Sequence, residues 1–217
     1  MVQNNFLSIS IIIISGLSTS LKIFTVTLIF SIPLGIIVAL FKDSKNIVIS
    51  TLIKIYVLLI RGTPMILQII FVYFAPYYLF KITYDRFTAI IIAFVINYAA
   101  YFSEIFRSGL SSIPNGQYEA SYTLGLNKFQ TFVLIILPQV IKKILPASSN
   151  EVISLIKTTS LAQIIGISEM FSLAQKQSSY NFSILPLIIA GGYYLILVFI
   201  ISVIFNRFEK QLNYYRF

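Results

Sequence analysis

From Ile23 to Phe41 the chain carries no charged residue, and lysines stand at either side, Lys22 and Lys42. A run of about 20 mostly apolar residues is what a helix needs to cross the hydrocarbon of a bilayer. Pro33 and Gly35 interrupt this run, but membrane helices tolerate both, because the freed backbone groups find partners nearby. Four comparable stretches follow, so spans are expected at about 20–41, 47–80, 87–106, 144–167 and 184–205. With 58% hydrophobic and 11% charged residues in 217, no soluble core could hide this much apolar surface. The expected class is an all-α integral membrane protein, a single transmembrane domain over 1–217.

Residues 3–15 are expected to form a short interfacial helix. The first 15 residues hold no Lys or Arg and only a short apolar run, Ile9–Ile14, so no cleaved leader is expected. The chain has neither cysteine nor histidine, which excludes a disulfide framework, thiolate catalysis and a Cys/His metal site. No bound metal or cofactor is expected.

The net charge of +9 is scattered rather than clustered, which argues against a nucleic-acid partner. Loop placement accounts for it better. Lys42, Lys45, Arg107, Lys128, Lys142, Lys143, Arg207, Lys210 and Arg216 fall on one side of a five-span chain, against Lys81, Arg86 and Lys176 on the other. Cytoplasmic loops carry the excess of Lys and Arg. The loop after the third span and the C-terminus are therefore expected inside, and the N-terminus outside.

That inner loop, about 114–138, is the most polar stretch between spans. A helix over 116–124 would end at Gly125, since glycine tolerates the left-handed conformation that closes a helix. Asn127 is placed to cap the next helix, with Gln130 three positions on to complete a capping box. Ala120 and Ser121 keep the first helix thin. Such a hairpin is suited to dock onto something outside the membrane.

The order Glu119-Ala120-Ser121, three residues, Gly125, nine residues, Ile135, one residue, Leu137-Pro138 resembles the cytoplasmic EAA loop of bacterial ABC importer permeases. Ser121 stands where that pattern has a third small alanine. The resemblance implies a type I ABC importer permease fold, with about five transmembrane helices and a cytoplasmic coupling helix. It also implies that Tyr118, Glu119, Ala120, Ser121, Leu124 and Gly125 contact a separate ATP-binding cassette ATPase dimer, where ATP-Mg would be bound and hydrolysed.

Charges at membrane depth cost roughly 2.5–3.5 kcal/mol on insertion scales and need partners, water or a function. Asn97, Tyr101, Glu104 and Ser108 share one face of the third span, and Glu151, Ser154 and Thr158 share one face of the fourth, with Asn150 and Lys157 beside them. Two polar faces, each with a carboxylate, fit a cavity that holds a protonated amine. They fit equally a buried Glu–Lys157 ion pair that fixes packing. In the second span, Arg61-Gly62-Thr63-Pro64 predicts a kink: Pro64 lacks an N–H and disfavours helix at Thr63. Gln68, one turn on, is placed to satisfy a freed carbonyl. Arg61 taken alone would snorkel to the cytoplasmic interface.

Arg61-Gly62-Thr63-Pro64 with Gln68, Ala100-Tyr101, Glu104, Arg107, the words Gly116 to Ala120, and Asn150-Glu151 with Ser154 to Leu161 resemble the polar amino-acid branch of that family across about residues 16–207. The resemblance implies pairing with a second permease subunit, identical or paralogous, and an extracellular solute-binding protein that delivers an amino acid. Substrate would pass Asn97, Tyr101, Glu104, Glu151, Ser154 and Thr158. No phosphate-binding Gly-rich Lys-Ser/Thr loop is present, so this chain is expected to transport and not to hydrolyse ATP. A stand-alone channel or secondary transporter would use Glu104 and Glu151 as ion sites, but it would leave the hairpin without a partner and lacks an inverted repeat. A membrane scaffold would transport nothing.

Overall fold

The computed structural model describes residues 6–212, and the regular elements among them are all helical. Expectations that touch residues 3–5 and Arg216 lie outside the described residues. Helix α1 (Phe6–Ser15) leads across Gly16 into α2 (Leu17–Lys42), and the two make one apolar stretch of 37 residues. The short helix expected over 3–15 forms over its described part, Phe6–Ser15. Ile9 and Ile13 of α1 are buried with Met170, Ala174, Ile189 and Ala190, which gives α1 a protein partner.

The centre of the molecule is the pair α2 and α5 (Arg86–Ser111). On α2 the buried residues Ser20, Ile23, Thr27, Ser31, Gly35 and Val38 recur every three or four positions, and α5 answers with Ala89, Ala93, Ala99 and Ala100. Small side chains let membrane helices pack backbone to backbone. A Cβ on Gly35 would lie 2.8 Å from the Cβ of Phe102 and 3.1 Å from the Ala99 carbonyl oxygen, so glycine sets this spacing.

The two helices run parallel. At one end the Met170 N–H donates to Ser20 Oγ at 3.4 Å, and the Arg86 guanidinium donates to the Gly166 carbonyl at 3.2 Å. At the other end Lys42 pairs with Glu104. Parallel neighbours require the intervening chain to cross back once. That crossing is made by α3 (Ile47–Gly62) and α4 (Met65–Phe80), which meet at 113°. The single kinked span expected over 47–80 is thus a broken span. Thr63 takes φ −117°, ψ 147°, the extended conformation that a following proline enforces.

After α5 come α6 (Asn115–Thr123), α7 (Lys128–Gln130), a π-helical segment (Thr131–Ile136) and α8 (Leu137–Thr158). Gly125 has φ +76°, the left-handed value the hairpin requires. Asn127 Oδ1 accepts from the Gln130 N–H at 2.9 Å, and Gln130 Oε1 from the Asn127 N–H at 3.0 Å. The expected capping box forms. The helix that carries the expected fourth span begins well before residue 144: helix is continuous from Lys128 to Ile165, because the π-helical segment joins the hairpin directly to α8 and residues Thr159–Ile165 extend it as a 3₁₀ turn.

At the opposite end lies α9 (Met170–Asn181). Buried Glu169 caps it, accepting from the N–H groups of Phe171 (2.7 Å) and Ser172 (2.6 Å) and from the Tyr194 hydroxyl (3.1 Å). The last helix, α10 (Leu185–Leu212), returns the chain to the hairpin end. Four long apolar helices, with the broken pair taken as one span, are long and apolar enough for five crossings.

Candidate functional site

Near the hairpin end, α5 and α8 part to leave an open cavity of about 660 Å³. Its walls carry Tyr101, Glu104 and Ser108 from α5, Asn150 and Glu151 from α8, and Arg61 from the end of α3. The α5 residues are spaced three and four apart, so one helical face supplies them. Arg61, half-exposed, also reaches into this site. Its guanidinium lies 5.3 Å from the Tyr101 ring centroid and 3.6 Å from Glu104 Oε2. A second recess of about 560 Å³ opens on the far side of Arg61, Tyr101 and Glu104 and adds Lys42 and Lys54.

Glu104 is the hub of an ion cluster. Lys42 from α2 pairs with its Oε1, while Arg61 from α3 and Arg107 one turn along α5 (3.3 Å) approach Oε2. One carboxylate therefore holds together three helices through three cations. Glu151 stands differently: among the described residues no ion pair reaches it. The alternative of a buried Glu–Lys157 pair is not what the structure contains, since Lys157 is exposed and the counter-charges of Glu104 come from elsewhere. The reason is geometric: the cations that close on Glu104 sit at the ends of α2 and α3.

Asn97 is not on the cavity wall. It is 5% exposed and donates through Nδ2 to Gln68 Oε1 at 2.8 Å. Gln68 in turn donates to the Ile60 carbonyl (2.8 Å) and to the carbonyl (3.1 Å) and Oγ1 (2.9 Å) of Thr63. Gln68 does satisfy the carbonyls freed at Pro64, and Asn97 clamps that arrangement to α5. The fold thus joins Ile60, Thr63, Gln68 and Asn97 at the break. Ser154 and Thr158 also lie off the cavity. Thr158 Oγ1 donates to the Ser154 carbonyl at 2.8 Å, and buried Tyr98 of α5 interacts with both.

The hairpin divides its expected contact set between two faces. Glu119, Ala120 and Leu124 point outward, and Leu124 is 78% exposed beside Phe129 at 75%. Ser121 is 2% exposed and donates to the Gln117 carbonyl at 2.6 Å, while Tyr118 packs on the buried group Ile113, Ile136, Val140 and Ile144. The outer surface is therefore not thinned by Ser121 as expected. A small residue is needed there because α6 rests on the body of the protein at that point.

Lys42, Arg107 and Lys143 belong to the site, although the sequence reading names none of them as a site residue: all three count there as loop charges, and Arg107 also as part of the family resemblance. Arg107 stands three residues from Glu104, a spacing that signals a helix ion pair. Lys42 is 62 residues from Glu104, and no local pattern reveals it. Lys143 lines the cavity and donates to the Ser112 carbonyl at 2.6 Å.

Residues 31–214 match the family described as binding-protein-dependent transport system inner membrane component. A protein of Rickettsia bellii (strain RML369-C), assigned as the glutamine transport system permease protein GlnP, is 38% identical over 92% of this chain and 92% of its own. The L-cystine transport system permease protein TcyB of Bacillus subtilis (strain 168) is 37% identical over 94% of this chain and 88% of its own. The arginine transport system permease protein ArtQ of the same organism is 37% identical over 93% and 92%. Among solved structures, a chain of an amino acid ABC transporter with histidines superposes with a TM-score of 0.86 at 31% identity, covering 95% of this chain and 98% of that one. The inward-facing MetNI methionine ABC transporter shares the fold, with a TM-score of 0.69 at 16% identity over 92% of this chain and 94% of that one.

Proposed function

The chain belongs to the family of inner membrane components of binding-protein-dependent transport systems, and from that premise we propose that it forms the translocation pathway for a polar or charged L-amino acid in an ATP-driven importer. It is a multi-pass permease and not an ATPase. In this reading its N-terminus is outside, and the hairpin and C-terminus are cytoplasmic. A second permease subunit, an extracellular solute-binding protein and an ATPase dimer that binds ATP-Mg complete the machine.

One observation carries the substrate reading. The cavity presents a carboxylate, Glu151, that no ion pair reaches among the described residues, and a guanidinium, Arg61, on the same open space of about 660 Å³. An amino-acid zwitterion has the complementary pair of charges, and the volume suits a small ligand. Tyr101 supplies an aromatic wall, and Glu104 keeps Arg61 in place. Asn97, Ser154 and Thr158 support the walls from behind. Relatives that carry glutamine, cystine and arginine in their names support a substrate among the polar amino acids.

The hairpin supplies the coupling. Glu119, Ala120, Leu124 and Gly125 face the ATPase, while Tyr118 and Ser121 seat α6 on the permease. ATP binding would close the ATPase dimer and move α6, and with it the helices that flank the cavity. The experiment is uptake of labelled L-glutamine, L-arginine, L-cystine and L-histidine in cells with and without the gene, before and after ATP depletion. Loss of an ATP-dependent uptake on deletion is expected. Loss of an uptake that ignores ATP and follows the ion gradient would overturn the importer reading in favour of a secondary transporter.

A further inference from the structure

We infer that Gln117 and Gln139 form a positioning pair that transmits movement of the docking helix to the cavity wall. This rests on the reading of α6 as the element that meets the ATPase. Gln139 lies on the first turn of α8 and is 5% exposed. Its Nε2 donates to the Ile135 carbonyl at 2.9 Å and to Gln117 Oε1, on α6, at 3.1 Å. The polarity of the bridge follows from chemistry. A backbone carbonyl only accepts, so the Gln139 amide must turn its nitrogen toward Ile135, and Gln117 must then offer its oxygen.

The bridge matters because the covalent route between the same two helices is soft. From α6 the chain passes through left-handed Gly125, the loop to Asn127, and the π-helical segment Thr131–Ile136 before α8 begins. π-helical segments are uncommon and are found at functional positions, where the helix register can shift. A displacement of α6 can be absorbed along that path. The amide pair bypasses it, joining α6 to α8 directly at residue 139. From there α8 runs as helix through Asn150 and Glu151, about 18 Å away at 1.5 Å per residue. Tyr118 and the apolar group around Ile136 and Val140 also join the two helices, but apolar contact is non-directional and permits sliding. The part-buried hydrogen bond is directional and fixes the register.

The test uses the permease purified with the ATPase it assembles with and returned to liposomes. Because the chain lacks cysteine, an Asn150→Cys substitution places one thiol on the permease cavity wall, and its maleimide labelling rate with and without ATP reports movement of α8. The probe is the maleimide, so no substrate need be known. In this parent the rate is expected to change on ATP addition. In Gln117→Leu and Gln139→Leu the ATP response should shrink by roughly five- to tenfold, within the usual range of coupling between sites.

The isosteric changes decide between a directional bond and mere filling of space. Gln117→Glu keeps the acceptor and should keep the response. Gln139→Glu removes the donor and should lose it like leucine does, and this pair settles the matter even if the leucine variants fail to assemble. Equal responses in Gln117→Glu and Gln139→Glu, or a full response in both leucine variants, would overturn the positioning role while leaving the docking reading intact. No ATP response in the Asn150→Cys parent would overturn the docking reading and this inference together.

Discussion

The two carboxylates near the cavity have the same chemistry and opposite surroundings, so the same substitution should do different things to them. Glu104 neutralises Lys42, Arg61 and Arg107 at once. Glu104→Gln leaves those cations facing each other, and thermal stability in detergent should fall by roughly 1–3 kcal/mol, less than for a fully buried pair because the cluster is part-exposed. Glu151 has no such role. Glu151→Gln should leave the melting temperature nearly unchanged and raise the KM for uptake by about tenfold, as befits one lost charge-assisted contact to substrate. A Glu104→Gln protein that melts like wild type but loses substrate affinity would reverse these assignments. Sequence singles out both acids but leaves open whether they line a cavity or pair with Lys157, and it cannot name the partners of Glu104, since Lys42 and Arg61 reach it across helices and not along one.

A third acid gives a pH signature. Glu169 sits at the far end from the hairpin, outside the spans, and its burial pushes its carboxyl above the usual glutamate range despite the amides of Phe171 and Ser172 that favour the charged form. A pKa raised on folding means the native state holds its proton more tightly than the unfolded chain. The stabilisation is then complete below the ordinary glutamate value and is lost as pH rises through the raised one. Melting temperature should therefore decline across that interval, and Glu169→Gln should flatten the decline. An unchanged slope in the variant would assign the pH dependence to another group.

Among the elements, the hairpin was the most legible because its determinants are local. Gly125 needs its left-handed φ of +76°, and Asn127 and Gln130 cap each other within four residues. Nothing lies within 4 Å of a Cβ built on Gly125, so Gly125→Val would act by backbone strain alone, about 1–2 kcal/mol at one residue. The expected outcome is a permease that inserts and assembles but moves less substrate per ATP, read from uptake and phosphate release in the same vesicles. Wild-type stoichiometry would remove the hairpin from the coupling path. The broken span was half legible. Pro64 announced an interruption and Gln68 its repair, but the 113° angle depends on Asn97 and on packing against α5. The π-helical segment has no signal that spacing can detect, so the continuity of the hairpin with the fourth long helix was not legible.

For the whole molecule, parallel α2 and α5 fix which ends share a side, whatever the membrane orientation. Lys42, the hairpin and the end of α10 lie together, while Arg86, Gly166 and α9 lie opposite. The five crossings were readable because apolar length is a property of the chain alone, whereas their mutual arrangement rests on contacts between distant small residues such as Gly35 and Ala99. In the proposed orientation, the excess of Lys and Arg on the hairpin side puts that side in the cytoplasm. A chain without cysteine makes the assignment directly testable. Thr123→Cys on α6 and Tyr180→Cys on α9 are both at exposed positions. In intact cells stripped to the inner membrane, an impermeant maleimide should label Tyr180→Cys and spare Thr123→Cys until the membrane is opened. The reverse pattern would put the hairpin outside, out of reach of any cytoplasmic ATPase, and with it the importer mechanism would fall.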